Sequence, residues 1–133
     1  HTHLYSEAFD LDRDTVMQQA KDMGVSRFFI PAIDSSYAKA MYDLEASHPE
    51  CVHLMMGLHP TSVKETYNEE LAFVVKELER RSFVAIGEIG IDLYWDTSTL
   101  AIQREAFVFQ IRLAKKYKLP IVIHCRDAFD QVF

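Results

Sequence analysis

The sequence predicts an α/β fold in which a parallel sheet is covered by helices, built as part of a (β/α)8 barrel. Two observations predict it. Short apolar runs alternate with stretches of helical periodicity along the whole chain, an order that demands parallel strands joined by helical crossovers. Polar residues able to do chemistry then stand at the ends of successive apolar runs: His59 after 51–56, Glu88 after 83–86 and His124 after 121–123. Doubly wound sheets satisfy the alternation too, but a barrel gathers its site from the ends of consecutive strands. Neither a G-x-G-x-x-G nor a P-loop spacing is present.

Each element has its own signals. Asp10 or Asp12 caps a helix that runs to Met23, with Val16, Ala20 and Met23 on its inner face and Gly24 as its stop. Residues 25–33 read as a strand whose Phe28, Phe29 and Ile30 form a continuous apolar core. Ser35 or Ser36 caps a second helix with Tyr37, Met41 and Leu44 inward, ended by Pro49. Residues 51–56 form the next strand, leading into Gly57-Leu58-His59-Pro60. Leu71, Val74, Val75 and Leu78 mark an amphipathic third helix. The strand 83–86 follows, and then a loop carrying Glu88. Thr97 or Thr99 caps a long fourth helix with Ile102, Ala106, Phe109, Leu113 and Tyr117 on one stripe. Lys115, Lys116 and Lys118 crowd its last turn, where the helix dipole favours cations. Pro120 opens the strand 121–123.

Composition bounds the function. With 133 residues, half of them apolar, the chain can bury a core. No apolar run approaches the ~20 residues of a membrane span, so no membrane partner is expected. Cys51 and Cys125 sit in or beside apolar runs without metal-like spacing, which predicts buried free thiols and a cytoplasmic location. The net charge of −6 argues against a broad basic grip on nucleic acid. It leaves room for a small pocket for polyanions, because bound cations invert the local sign.

Three elements suggest a metal site. His1 and His3 are two apart, so in extended chain both imidazoles point the same way and can bite one ion. Glu88 lies between Gly87 and Gly90, where the backbone must turn or approach something closely. His124 closes an apolar run. Singly, each has an ordinary reading: a chain terminus, a solvated loop charge, a core histidine. Together, imidazoles and a carboxylate suit Zn²⁺ or Mn²⁺, and Mg²⁺ if further oxygens join.

The stretches H-T-H-L at 1–4, G-L-H-P at 57–60, G-E-I-G-I-D-L-Y-W-D at 87–96, Q-x6-Q-x2-L-A from Gln103 to Ala114, and L-P-I-V-I-H-C-R-D-A at 119–128 cover the chain in one order. In these the sequence resembles the TatD family of metal-dependent deoxyribonucleases, amidohydrolase-like TIM barrels. The resemblance implies that His1 and His3 hold one divalent ion, that Glu88 bridges two and is catalytic, and that His124 holds the second. It implies DNA as substrate, and the charge of −6 favours short or single-stranded ends reaching a pocket over long duplex held along a surface. Arg126 is placed for a phosphate oxygen or for a strand-end salt bridge. His59 suits a substrate contact or a supporting role, or is simply a turn residue before Pro60. Asp92 orients a ligand or satisfies the loop backbone.

Family barrels run to ~250 residues, so residues 1–133 are expected to form one partial barrel domain, incomplete at both ends, with about half of the strands. Such a half barrel would expose sheet edges. Two other functions stay open at this level. One is metal-dependent hydrolysis of another ester or amide, such as D-aminoacyl-tRNA. The other is a non-catalytic half barrel that binds a partner through its open edges, if the polypeptide ends at Phe133.

Overall fold

Four parallel strands form one sheet in the order β1-β2-β3-β4. They are β1 (Phe28–Ile30), β2 (Val52–Met56), β3 (Ala85–Asp92) and β4 (Ile121–Arg126), in a computed structural model that describes all residues from His1 to Phe133. The helices are α1 (Arg13–Asp22), α2 (Ala38–Ser47), α3 (Tyr67–Arg80), α4 (Leu100–Tyr117) and a short α5 (Phe129–Val132). Spatial order repeats chain order without the reversal that defines a doubly wound sheet. The sheet is the wall of a half barrel. Thr2 extends it past β1 by donating its backbone N–H to the Phe29 carbonyl at 3.2 Å. No helix is long and apolar enough to cross a membrane.

The strand interiors follow the rule for sheets buried on both faces. Leu54, Met55, Met56, Ile86, Ile89 and Ile91 are all buried, and the whole of β3 is closed to solvent. At ~25 cal/mol per Å² of apolar surface, side chains of this size are worth roughly 1.5–3 kcal/mol each when fully buried. Helix α3 has the widest separation of apolar and polar faces, with Leu71, Val74 and Leu78 inward as the spacing predicts.

Several expectations are corrected. The ladder of the first strand covers three residues rather than nine, and Phe29 is 40% exposed because alternate side chains point to opposite faces. Met23 is 87% exposed: α1 ends at Asp22, and Met17 takes the inner position. Asp34, not Ser35 or Ser36, caps the turn before α2 by accepting the Ser36 N–H. The buried stripe of α4 is Gln103, Ala106, Phe107, Gln110, Leu113 and Ala114, with Phe109 partly exposed. Cys51 is buried as expected, but Cys125 is exposed at the sheet edge.

The two glutamines explain why a polar residue can belong to that stripe. Gln110 accepts the Leu58 N–H at 2.7 Å and donates to the Leu58 carbonyl at 3.3 Å. Gln103 does the same for Asp92, at 2.9 Å in both directions. Each buried amide replaces a missing backbone partner, as buried polar groups require. Helix α4 thereby fixes the chain just beyond β2 and at the end of β3, where His59 and Asp92 stand.

Candidate metal centre

The strand β3 runs through Glu88 to Asp92 instead of stopping at Ile86, because β4 pairs with it that far. The register passes from Ile86 opposite Ile121 to Ile89 opposite Ile123, so β3 carries one extra residue there. A bulge of this kind re-aims a side chain, and Glu88 lies inside it after a cis peptide bond to Gly87. The flanking glycines are required by close approach. A Cβ on Gly87 would fall 2.8 Å from the Val122 Cβ, and one on Gly90 (φ +148°) would fall 1.9 Å from the His124 carbonyl oxygen.

Glu88 is buried, and histidines face both of its oxygens. His1 Nε2 and His3 Nε2 lie 3.5 and 3.3 Å from Oε2, and His124 Nδ1 lies 3.3 Å from Oε1. Both imidazoles thus point to the same carboxylate oxygen. His59 Nε2 approaches Oε2 at 4.0 Å. Donor atoms of His59, Glu88 and His124 all lie within 4.8 Å of one another.

The far sides of the imidazoles determine what the near sides can do. The Tyr5 hydroxyl donates its one proton to the Pro31 carbonyl at 2.7 Å, so at 3.0 Å it accepts from His3 Nδ1–H. Asp92 Oδ2 accepts from His124 Nε2 at 2.8 Å, while its Oδ1 accepts the Tyr94 N–H at 3.0 Å. With those protons committed, the nitrogens turned toward Glu88 hold either a second proton or a metal ion. Bare lone pairs facing a carboxylate at 3.3 Å would repel it. A ligating histidine whose other N–H is held by a carboxylate or hydroxyl is the usual support of a metal site.

His59 differs. Its Nδ1 accepts the Thr61 N–H at 3.2 Å, which leaves its proton on Nε2. Burial, and then the charge of His124, pull its pKa down to about 4, so it is neutral at pH 7. It is a hydrogen-bond donor aimed into the site.

The charges follow from these contacts. Burial pushes the Glu88 carboxyl up, but hydrogen bonds from His124 and His3 outweigh it and hold the group well below the usual carboxylate range. His124 is raised, first by its bond to Glu88 and then, against burial, by Asp92. In metal-free protein the raised His124 therefore keeps a proton on its Glu88 side, where a cation would stand. The imidazoles of His1 and His3, a carboxylate between them and a third imidazole, and a second carboxylate behind that imidazole fit one or two borderline divalent ions.

Arg126 stands outside this cluster. Its guanidinium enters none of the chain's ion pairs, so the strand-end salt bridge is not formed. It lies instead over the Tyr94 ring, 3.7 Å from the centroid. Sequence reasoning missed Tyr5, for which a tyrosine two residues after His3 was the available signal. Gln103 was visible as the first residue of the stretch Q-x6-Q-x2-L-A, but its bonds to the Asp92 backbone were not.

A parallel half barrel that brings histidines and carboxylates together at one end is a scaffold on which a metal-dependent hydrolase can be built. The chain belongs to the TatD family: the family model described as TatD related DNase matches residues 1–133. It is 37% identical over 133 residues to the uncharacterized metal-dependent hydrolase YabD of Bacillus subtilis, covering 99% of this chain and 51% of that protein. It is 33% identical to the 3'-5' ssDNA/RNA exonuclease TatD of Erwinia tasmaniensis, over 97% of this chain and 50% of that one. The crystal structure of YjjV, a TatD homolog from Escherichia coli, superposes with a TM-score of 0.89 at 30% identity, over 99% of this chain and 51% of the other. The chain thus spans about half the length of the curated relatives it matches.

Proposed function

We propose that the natural polypeptide carrying this chain hydrolyses phosphodiester bonds in nucleic acid, with single-stranded DNA ends as substrate, in a reaction that depends on divalent metal. The observation that carries the reading is Glu88, whose two oxygens face different histidines: His1 and His3 on one side, His124 on the other. A carboxylate so placed suits a bridge between two ions, Mn²⁺, Zn²⁺ or Mg²⁺. When bound, such ions supply positive charge to the phosphodiester and acidity to a water molecule. The names of the exonuclease relatives support nucleic acid as the substrate class. Residues 1–133 serve as one partial barrel domain of that polypeptide, and the unpaired cysteines suit the cytoplasm.

The chain's own groups have separate tasks. Glu88 stays ionised across the working pH range and holds positive charge on both of its faces. Asp92 fixes the His124 ring and the tautomer that turns Nδ1 inward. Tyr5 does so for His3. His59 offers an N–H to an oxygen of the substrate, and Arg126 offers its guanidinium to a neighbouring phosphate. The net charge of −6 is then no obstacle. Attraction comes from cations in the pocket rather than from the surface.

The test compares the natural polypeptide with its Glu88→Gln variant on a single-stranded oligonucleotide, with Mn²⁺ and with chelator. The variant is expected to lose on the order of 10³-fold or more in rate, since several kcal/mol of transition-state stabilisation depend on the ions it holds. Unchanged cleavage by the variant, or cleavage of an aminoacyl ester in place of the oligonucleotide, would overturn the reading.

A further inference from the structure

The turn after β3 carries two aromatic side chains that the fold does not use. Trp95 is 71% exposed and Tyr94 52%, although large aromatic residues are highly buried on average. Their rings meet edge to face with centroids 4.7 Å apart. The Arg126 guanidinium covers the Tyr94 ring and stands 5.6 Å from the Trp95 centroid. Cation and rings therefore hold one another in place from two strand ends. The Leu93 N–H ties those ends together by donating to the Arg126 carbonyl at 3.0 Å.

This group is coupled to the metal centre through one buried carboxylate. Asp92 accepts the Tyr94 N–H with one oxygen and holds His124 with the other. Trp95 also lines a small cleft with Pro60, Thr61 and Lys64, directly after His59, and with the carboxylates Asp92 and Asp96 on its other side. A flat exposed indole, a fixed guanidinium and a lysine in one neighbourhood suit a planar heteroaromatic ring joined to phosphate. An aliphatic ligand would need an enclosed apolar cavity, which is not present around Trp95.

We infer that Trp95, braced by Tyr94 and Arg126, stacks an unpaired nucleobase of the strand whose phosphodiester lies over Glu88 and His124. The inference rests on the phosphodiesterase reading and adds the element that selects the substrate. A base within a duplex has both faces covered by its neighbours and cannot use the platform. Stacking is tolerant of base identity, since every base has a π-face. Trp95 is accordingly a specificity residue for single strands and not a catalytic one.

Affinity and cleavage are measured for the natural polypeptide and its Trp95→Ala and Trp95→Phe variants. The substrates are a labelled single-stranded oligonucleotide and the same strand with abasic sugars at its end. On the normal strand, Trp95→Ala is expected to bind about tenfold or more weakly, the scale of one lost stacking contact, with kcat within about threefold. Trp95→Phe should recover most of the loss, and on the abasic strand all three proteins should bind alike. Equal binding of the normal strand by wild type and Trp95→Ala would overturn the platform, as would an equal loss on the abasic strand. Absence of metal-dependent cleavage by the wild type would refute the nuclease reading instead, while the binding comparison would still decide the platform.

Discussion

His3 and His124 are alike in the feature that matters: each spends one ring proton on a partner behind it and turns its other nitrogen to Glu88. For His3 the partner is Tyr5, so Tyr5→Phe should weaken metal binding by about 10- to 100-fold, the usual cost of a lost outer partner. The fold should lose only ~1 kcal/mol with the hydrogen bond to Pro31. Metal titration beside thermal unfolding separates the two. For His124 the pH effect has a definite sign. Its pKa is raised in the folded metal-free protein, so its stabilisation is complete below the unfolded value near 6.5 and is lost as pH rises through the folded value. Metal displaces that proton. The rise in melting temperature on adding metal should therefore grow with pH through this window, and a constant increment would contradict the assignment. Glu88 acts in the opposite sense, its contribution disappearing only as pH falls below the ordinary carboxylate range. Arg126→Ala should weaken phosphate substrates more than uncharged esters. The sequence singles out the residues that face the cluster only as a group, because each imidazole or carboxylate alone has an ordinary structural use. Tyr5 was not legible, since a tyrosine hydroxyl finds partners almost anywhere.

At the scale of elements, β3 was the least legible. Gly, Glu and Asp between 87 and 92 read as a loop by propensity, yet parallel pairing with β4 carries the ladder through them. Tertiary context overrides strand propensity where two backbones must approach closely. The glycines themselves were legible as sites of close approach, and the contact they permit is now specific. Gly90→Ala would force the His124 carbonyl away by more than an ångström at a φ that side chains rarely adopt. A loss of about 1–3 kcal/mol or more is expected from the overpacking, together with reduced metal affinity, because the strand that moves carries His124. A variant with wild-type melting temperature and metal affinity would show that the strands are not so constrained. The helix α4 stripe was half legible: Ala106 and Leu113 follow the apolar period, while Gln103 and Gln110 obey it only because each has a backbone pair to complete.

For the whole molecule, fold class was the most legible property, since alternation of strand and helix leaves few arrangements. The consecutive strand order then decides between barrel and open sheet. The edge strand β4 leaves Ile123 partly exposed, and Phe129 and Phe133 are exposed beside it. A chain of these 133 residues alone is therefore expected to self-associate, as uncovered edges and apolar side chains do; a monomer in sedimentation at high concentration would contradict this. The half barrel assembles its polar cluster around Glu88. The most direct measurement on that cluster is the number of Mn²⁺ ions bound by the metal-free natural polypeptide at pH 7.5, by calorimetric titration, beside its Glu88→Gln variant. Two ions for the wild type and a sharp loss of affinity in the variant are predicted. Absence of binding by the wild type, or identical isotherms for the two proteins, would contradict the metal centre.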